Sequence, residues 1–242
     1  DLIASWRAAT PADAPNRFVI NLQPDQAKAF QARLQASGVT KYDWYPMIRG
    51  RLVTINGGNV TPESFNDDRA RRLVDREFNL SHGTVNPGHN TVVEGAWRAD
   101  EADAMSVEEG LMQTLKLKLG DRLGFDIAGQ VREGRITSVR QVDWGSMRVN
   151  FFVMFPLAQM EGVPVTYISA FRAPTAKGFD NGLSRDFPNI TNIDISASIA
   201  QVQAVLDRTT LAGIRRAWRS ASSAAASCSR VQAASKTSRL SR

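Results

Sequence analysis

Two histidines are the first residues to test for chemistry. His82 and His89 are the only ones in the chain, spaced H-x6-H in the Gly/Asn/Pro stretch SHGTVNPGHN (81–90). With a carboxylate such as Asp75 or Glu94 they would offer a metal three ligands. The spacing matches no familiar zinc pattern, however, and loop histidines with solvated imidazoles are the preferred reading. No metal and no cofactor is expected. Acid pairs are the second candidate, because two close carboxylates serve general acid–base work. They occur at Asp67-Asp68, at Asp100/Glu101/Asp103 and at Glu108-Glu109. The first two sets lie in polar segments. The third opens a helix, where capping and the helix dipole account for it. No P-loop, G-x-S-x-G or G-x-G-x-x-G is present, and INGG (55–58) is a turn rather than a phosphate cradle. Catalysis is therefore not expected. Asn59, Asn79 and Asn189 stand in short N-x-[ST] patterns that carry little weight.

Aromatic side chains offer a different chemistry. Trp44, Tyr45, Trp97 and Trp144 each fall at the edge of a predicted strand. Such a position suits a partner-facing anchor, and it equally suits an aromatic that covers a core. Both readings stand at this stage. Arg148 joins them as a candidate surface contact.

Charge points away from nucleic acid once it is located. The chain has 242 residues, 43% of them hydrophobic, and a formal net charge of +6. Seven of its basic residues, and none of its acids, lie at 209–242, which leaves 23 bases against 24 acids in residues 1–208. A near-neutral body implies no nucleic-acid surface. The segment LAGIRRAWRSASSAAASCSRVQAASKTSRLSR is dominated by Ser, Ala and Arg, and it holds the single cysteine, Cys228. It reads as a disordered basic tail for RNA or anionic lipid, as a weak helix, or as an out-of-frame end to a GC-rich gene. The chain opens on Asp1-Leu2 without the basic and apolar regions of a signal peptide, and apolar runs are only a few residues long. A fragment of a longer protein is one expectation.

The elements that must position these residues follow from periodicity. RFVINL (17–22) reads as a strand. QPDQAKAFQARLQASG (23–38) reads as a helix with Ala27, Phe30 and Leu34 on one face and Gly38 at its end. PMIRGRLVTINGG (46–58) is a second strand running into a turn. Residues 59–90 are ambiguous: DDRARRLVDREFNLS fits a helix through Ala70, Leu73 and Val74, or a strand through Val74, Arg76, Phe78 and Leu80. SVEEGLMQTLKLKLGD (106–121) reads as a helix with a Ser106–Glu109 capping box, stopped by Gly120. RLGFDIAG (122–129) and RITSVRQVDW (135–144) alternate and form a hairpin around Gly129–Gly134. VDWGSMRVNFFVMFP (142–156) reads as one strand, with Met147, Val149, Phe151, Val153 and Phe155 on one face and Arg148, Asn150, Phe152 and Met154 on the other. VTYISAF (165–171) is a further strand. SASIAQVQAVLDR (196–208) is an amphipathic helix.

Taken in order, APNRFVINLQPDQ, PMIRGRLVTING, RARRLVDREFNLS, the 106–130 stretch, ITSVRQVDWGSMRVNFFVMFP, TYISAF and NITNIDISASIAQVQAVLD resemble the extracytoplasmic part of a bacterial ABC transporter permease. The family is the FtsX-like (MacB-type) one, in its YbbP-like branch, and the resemblance covers nearly all of residues 1–208. It implies an α+β MacB-like periplasmic domain. A porter-like β-α-β subdomain would come from both ends of the chain, 1–58 and 165–208. An inserted β-rich subdomain with one helix would span 59–164. It implies an inner-membrane protein acting on the periplasmic face, without catalysis of its own. A cytoplasmic ABC ATPase would drive it through membrane helices, and a periplasmic esterase or lysophospholipase, a lipid or a lipoprotein would receive the motion. The pattern departs after Asp207, where an apolar membrane segment gives way to Ser/Ala/Arg. That departure favours the out-of-frame reading of 209–242. The alternative reading is a soluble periplasmic lipid-binding or hydrolase-like domain, which would need an enclosed apolar pocket.

Overall fold

The computed structural model describes residues 14–196. The predicted helix at 196–208 and the 209–242 segment lie outside them, apart from Ser196. Residues 14–194 form one compact unit, and the fold is described within it.

Apolar alternation in RFVINL produces β1 (Arg17–Leu22), whose Val19 and Leu22 are fully buried. A 3-10 turn at Pro24–Gln26 leads into α1 (Ala27–Ala36), which buries Phe30 and Leu34. Gly38 has a φ of 80°, the left-handed conformation that ends a helix without steric cost. β2 (Tyr42–Ile55) is fourteen residues long and turns at Asn56-Gly57 into β3 (Gly58–Asn59). The ambiguous stretch holds both elements in succession. It forms α2 (Asp68–Val74), capped by the Asp67 carboxylate accepting from the Ala70 amide at 2.9 Å, and then β4 (Phe78–His82). β5 (Asn90–Gly95) and β6 (Ala104–Glu108) follow.

α3 (Glu109–Leu115) departs from its predicted limits at both ends. Its cap is the Glu108 carboxylate, which accepts from the Leu111 amide at 2.7 Å, while Ser106 belongs to β6. It stops at Lys116, in the left-handed conformation, before Gly120 is reached. β7 (Arg122–Ile127) and β8 (Gln130–Val142) make the expected hairpin, but through a tighter turn. Ala128 and Gly129 both have positive φ, the geometry that fits a two-residue hairpin loop.

The single strand expected at 142–156 does not exist. β8 ends at Val142 and only β9 (Val153–Phe155) resumes the extended pairing. Asp143 is the reason. Its carboxylate accepts from the Gly145 amide at 2.9 Å, and its carbonyl accepts from the Ser146 hydroxyl at 2.7 Å. This local turn outcompetes the ladder. β10 (Thr166–Phe171), α4 (Phe179–Asp186) and β11 (Thr191–Asp194) complete the described chain. Neither α4 nor β11 was legible from periodicity.

The result is a sheet-rich α+β fold whose strands run β11-β1-β10-β2-β4-β9-β6-β8-β5, with β7 bridging β2 and β8. β1 and β2 both run antiparallel to β10, so they are parallel to each other with β10 between them. The expected β-α-β unit is thus split. In the other half the pairings β2-β4-β9-β6-β8-β7-β2 return to their start and close a six-stranded ring. Closure leaves no free edge within the ring. β2 belongs to both halves: Tyr42–Met47 pair with β10, and Ile48–Ile55 pair with β4 and β7. Gly50 sits near that handover. A Cβ there would lie 2.7 Å from Leu80 Cδ1 and 3.1 Å from Ile127 Cγ1, so any larger residue would require these side chains to shift.

Three apolar clusters follow. One, under α1 and α4, joins Val19, Phe30, Leu34, Phe171 and Leu183. A second fills the ring and backs α2 and α3, from Ile48 through Phe125 to Phe155. A smaller third gathers Met47, Val149, Phe151, Met154 and Ala170.

Arg17 fastens the two ends of the first half. Its guanidinium bonds Asp180 of α4 through two contacts of 2.9 Å and Asp194 of β11 at 2.6 Å. The hydrogen bond from Arg17 holds the Asp180 carboxyl below its ordinary range, against the smaller opposing effect of burial. Asp180 is 42% exposed, so solvent screens much of the attraction. Asp180→Asn should cost about 1 kcal/mol at neutral pH, a fall of about 2–4 °C in Tm. A depressed carboxyl stabilises above its unfolded value of about 3.9 and loses that stability as pH falls through its folded value. Thermal melts across the acid range should therefore show wild type and variant converging at low pH.

Candidate functional site

The loop between β8 and β9, residues 143–152, lies where the two halves meet, and two arginines hold it. An irregularity in β8 between Ile136 and Ser138 leaves Ile136 and Val139 in the ring core and turns Ser138 and Arg140 to the other face, where Arg140 is completely buried. A guanidinium so placed must spend its donors on protein acceptors. It donates to the Ser106 hydroxyl at 3.0 Å, to Asn90 Oδ1 at 2.5 Å, and to the carbonyls of Phe151 at 2.9 Å and Phe152 at 3.5 Å. Ser138 donates to the same Ser106 oxygen at 2.8 Å, and Asn90 passes a hydrogen bond on to Asn150 at 3.0 Å. Burial pulls the Arg140 pKa down to about 10, while the nearby Glu108 charge opposes the fall. The group therefore stays charged at neutral pH.

Arg148 holds the loop from outside. Its Nε lies 2.9 and 3.0 Å from the two oxygens of Asp43, and its Nη2 also donates to Asp43 Oδ1. The Val149 amide adds a bond of 2.9 Å to the same carboxylate. The Asp43 side chain is 2% exposed, against 43% for Arg148. Asp43 lies on β2 in the part paired with β10, so this contact ties the loop to the split β-α-β half. The adjacent phenylalanines follow opposite cores. Phe151 meets Tyr45 edge-on at 5.9 Å, while Phe152 meets Phe78 at 6.0 Å and Trp144 at 4.7 Å.

The other candidate aromatics are spread over the fold. Trp44 stacks on Tyr167 at 4.8 Å and reaches Phe30 at 6.0 Å, beside the α1 core. Trp97 donates its indole N–H to the Thr84 carbonyl at 2.9 Å and packs on the third cluster. Burial raises the Tyr45 phenol pKa, with Asp43 adding to the rise. Trp144 is 48% exposed and donates at 3.4 Å to Glu108. Trp144, Tyr45 and Arg148 thus converge around one loop, Trp97 packs on the same third cluster as Tyr45, and Trp44 reaches a different packing group. Arg140 was missed by sequence reasoning. Alternation in RITSVRQV gave no usable signal, because it would place Arg140 on the face of Ile136 and the irregularity between Ile136 and Ser138 moves it to the other.

Of the two histidines, His82 departs from the expected loop position, whereas His89 lies in the turn before β5. His82 ends β4 and is half-buried, and burial lowers its pKa. His89 Nε2 lies 3.0 Å from the Val149 carbonyl. Among the described residues no three His, Cys, Asp or Glu side chains are grouped to hold a metal. The acid sets are occupied by arginines and helix caps. Asp103 bonds Arg122 at 3.0 Å, Glu101 bonds Arg135, and Asp67 and Glu108 cap helices.

A cleft of about 530 Å³ opens beside Asp43 and Arg148, lined also by Thr40, Lys41 and Arg172. Among the described residues no helix is long and apolar enough to cross a membrane.

No protein-family model matches the chain. Its sequence is nevertheless similar, over most of its length, to part of an ABC transporter permease. That relative is the uncharacterized ABC transporter permease YbbP of Escherichia coli K12, 36% identical over 202 residues. The match takes in 84% of this chain and 24% of the relative, so the chain spans about a quarter of that protein's length. Among solved structures, a crystal structure of a domain assigned to a permease of Porphyromonas gingivalis aligns with 75% of this chain and 78% of its own. It does so at 10% identity and a TM-score of 0.34, a likeness too low to carry an argument.

Asp43→Asn should leave the fold intact and loosen the loop. The expected loss is about 2 kcal/mol, so Val149 amide exchange should quicken about thirty-fold by mass spectrometry or NMR. Arg140→Met strands the Asn90 oxygen and the Phe151 carbonyl in the interior, while the Phe152 carbonyl keeps the Glu108 amide at 2.8 Å. Urea unfolding should show a loss of about 3–5 kcal/mol.

Proposed function

We propose that this chain is the extracytoplasmic module of an ABC transporter permease of the FtsX-like type, at the inner membrane on its periplasmic face. The observation that carries the reading is the 36% identity to a permease across 84% of the chain. A cytoplasmic ABC ATPase would supply the work, and a periplasmic lipid, lipoprotein, esterase or lysophospholipase would receive it. The module itself performs no catalysis in this reading.

The geometry supports a mechanical role. Arg17 on β1 pairs in register with Asp194 on β11, so the chain enters and leaves this body at one end of one sheet. A displacement applied to the two connections acts first on the split β-α-β half. β2 runs unbroken from that half into the ring, and the Asp43–Arg148 contact ties the loop at the seam. On this reading the porter-like subdomain is 1–58 with 165–208, and the insert is 59–164.

The test is to purify the permease that carries this segment from native membranes. Co-purification of an ABC ATPase is expected, with ATP hydrolysis stimulated several-fold on reconstitution in bilayers. A permease that recovers no ATPase and stimulates no hydrolysis would overturn the reading.

A further inference from the structure

The cleft beside Asp43 lies at the same end of the sheet through which the chain enters and leaves. Asp194, Arg17, Phe171 and Tyr42 form one row of register partners across four strands. Lys41 and Arg172 are the residues just beyond that row, and both line the cleft with Arg148. The lining holds three cations and one carboxylate, Asp43, which is buried against Arg148 and the Val149 amide. The nearby acids Asp180 and Asp194 are paired with Arg17. Lys41 is exposed and makes no hydrogen bond or ion pair among the described residues. Arg172 is exposed and, among the described residues, its side chain donates only to the Ala14 carbonyl, at 3.2 Å. Among the described residues, two cationic side chains on the lining of a concave site therefore have no carboxylate partner, and the Thr40 hydroxyl lies beside them.

We propose that this cleft binds the phosphate headgroup of an anionic membrane lipid. The proposal rests on the permease reading above. If the connections at this end lead to the bilayer, the cleft faces it, and Lys41 and Arg172 meet its surface first. A phosphodiester headgroup supplies the negative charge they lack, and each cation near an anionic surface contributes about 1 kcal/mol. The ion-paired Arg148–Asp43 wall then lies behind the headgroup. Binding there would load the same wall that ties the loop to β2.

The experiment uses the whole chain and vesicles of phosphatidylcholine, with or without one-third phosphatidylglycerol, at low ionic strength. Co-sedimentation should rise with phosphatidylglycerol. Lys41→Gln with Arg172→Gln should reduce that partitioning about thirty-fold. The charge-matched pair Arg69→Gln with Arg72→Gln, on the exposed face of α2, should change it less than about three-fold. Thermal melts check that both double variants remain folded. Equal losses in the two variants, or none in the cleft variant, would overturn the proposal. So would glycerol phosphate raising the Tm of the parent chain but not of the cleft variant while vesicle binding is the same for both, since the site would then take a free phosphate. The outcome is separable from the permease reading: a missing ATPase leaves the vesicle result standing, and an unaffected cleft variant leaves the ATPase complex standing.

Discussion

Burying a guanidinium costs several kcal/mol unless its donors find matched acceptors, and Arg140 meets that constraint with four oxygens from three segments. Ser106 comes from β6, Asn90 from β5, and the two carbonyls from the chain entering β9. The paths of these segments are thereby interdependent. If the 143–152 loop withdraws, the cation loses its carbonyls. If Asn90 moves, the link to Asn150 breaks as well. The apolar filling of the ring supplies most of the driving force, but it is non-directional. The Arg140 network adds direction, because few alternative arrangements satisfy all of its donors.

The second organising feature is the length of β2. A strand of fourteen residues is long for a globular protein. It can serve two cores because its hydrogen-bonding partners change along it, from β10 at Tyr42–Met47 to β4 and β7 beyond. Gly50 permits the change by letting the Leu80 side chain approach. Asp43 then brings a non-covalent strap across the same seam. Backbone continuity and a buried ion pair are different kinds of tie. The first transmits displacement directly, and the second can open at a definite free-energy cost.

Much of this was legible in the sequence where a single local rule governed. β1, α1, β2, the β7–β8 hairpin and β10 followed their apolar periods. The limits of α3 failed because a carboxylate one residue before the helix, Glu108, outcompeted the Ser106–Glu109 box once Ser106 was drawn into a buried strand. The 142–156 stretch failed because apolar content was weighed above the turn chemistry of Asp143-Trp144-Gly145-Ser146. Yet the opposed directions of Phe151 and Phe152 were foreseeable and are found in two different cores. α4 and β11 were invisible because they are short and their partners lie far back along the chain: Phe179 and Leu183 of α4 join the core of Val19 and Phe30, β11 pairs with β1, and Arg17 lies 163 and 177 residues from Asp180 and Asp194. The ring could not be read at all, since closure between β2 and β7 is a fact of pairing rather than of periodicity. Among the candidate contacts, Tyr45, Trp144 and Arg148 come together around one loop, which their separation along the chain gave no reason to expect.

The same distance in sequence has a kinetic side. β1 is the first described strand to be synthesised, but both of its neighbours, β10 and β11, are among the last. Until residue 180 has emerged, Arg17 has neither of its partners Asp180 and Asp194, and the apolar face of α1 is incomplete until Leu183 joins Phe171. Contacts so remote in sequence close slowly, because the intervening chain must be ordered first. The ring can complete its own pairings once β9 is made, whereas the split half must wait. A chain emerging from the ribosome would thus present an early strand with two open edges for most of its synthesis, the state that chaperones recognise and that truncation would make permanent.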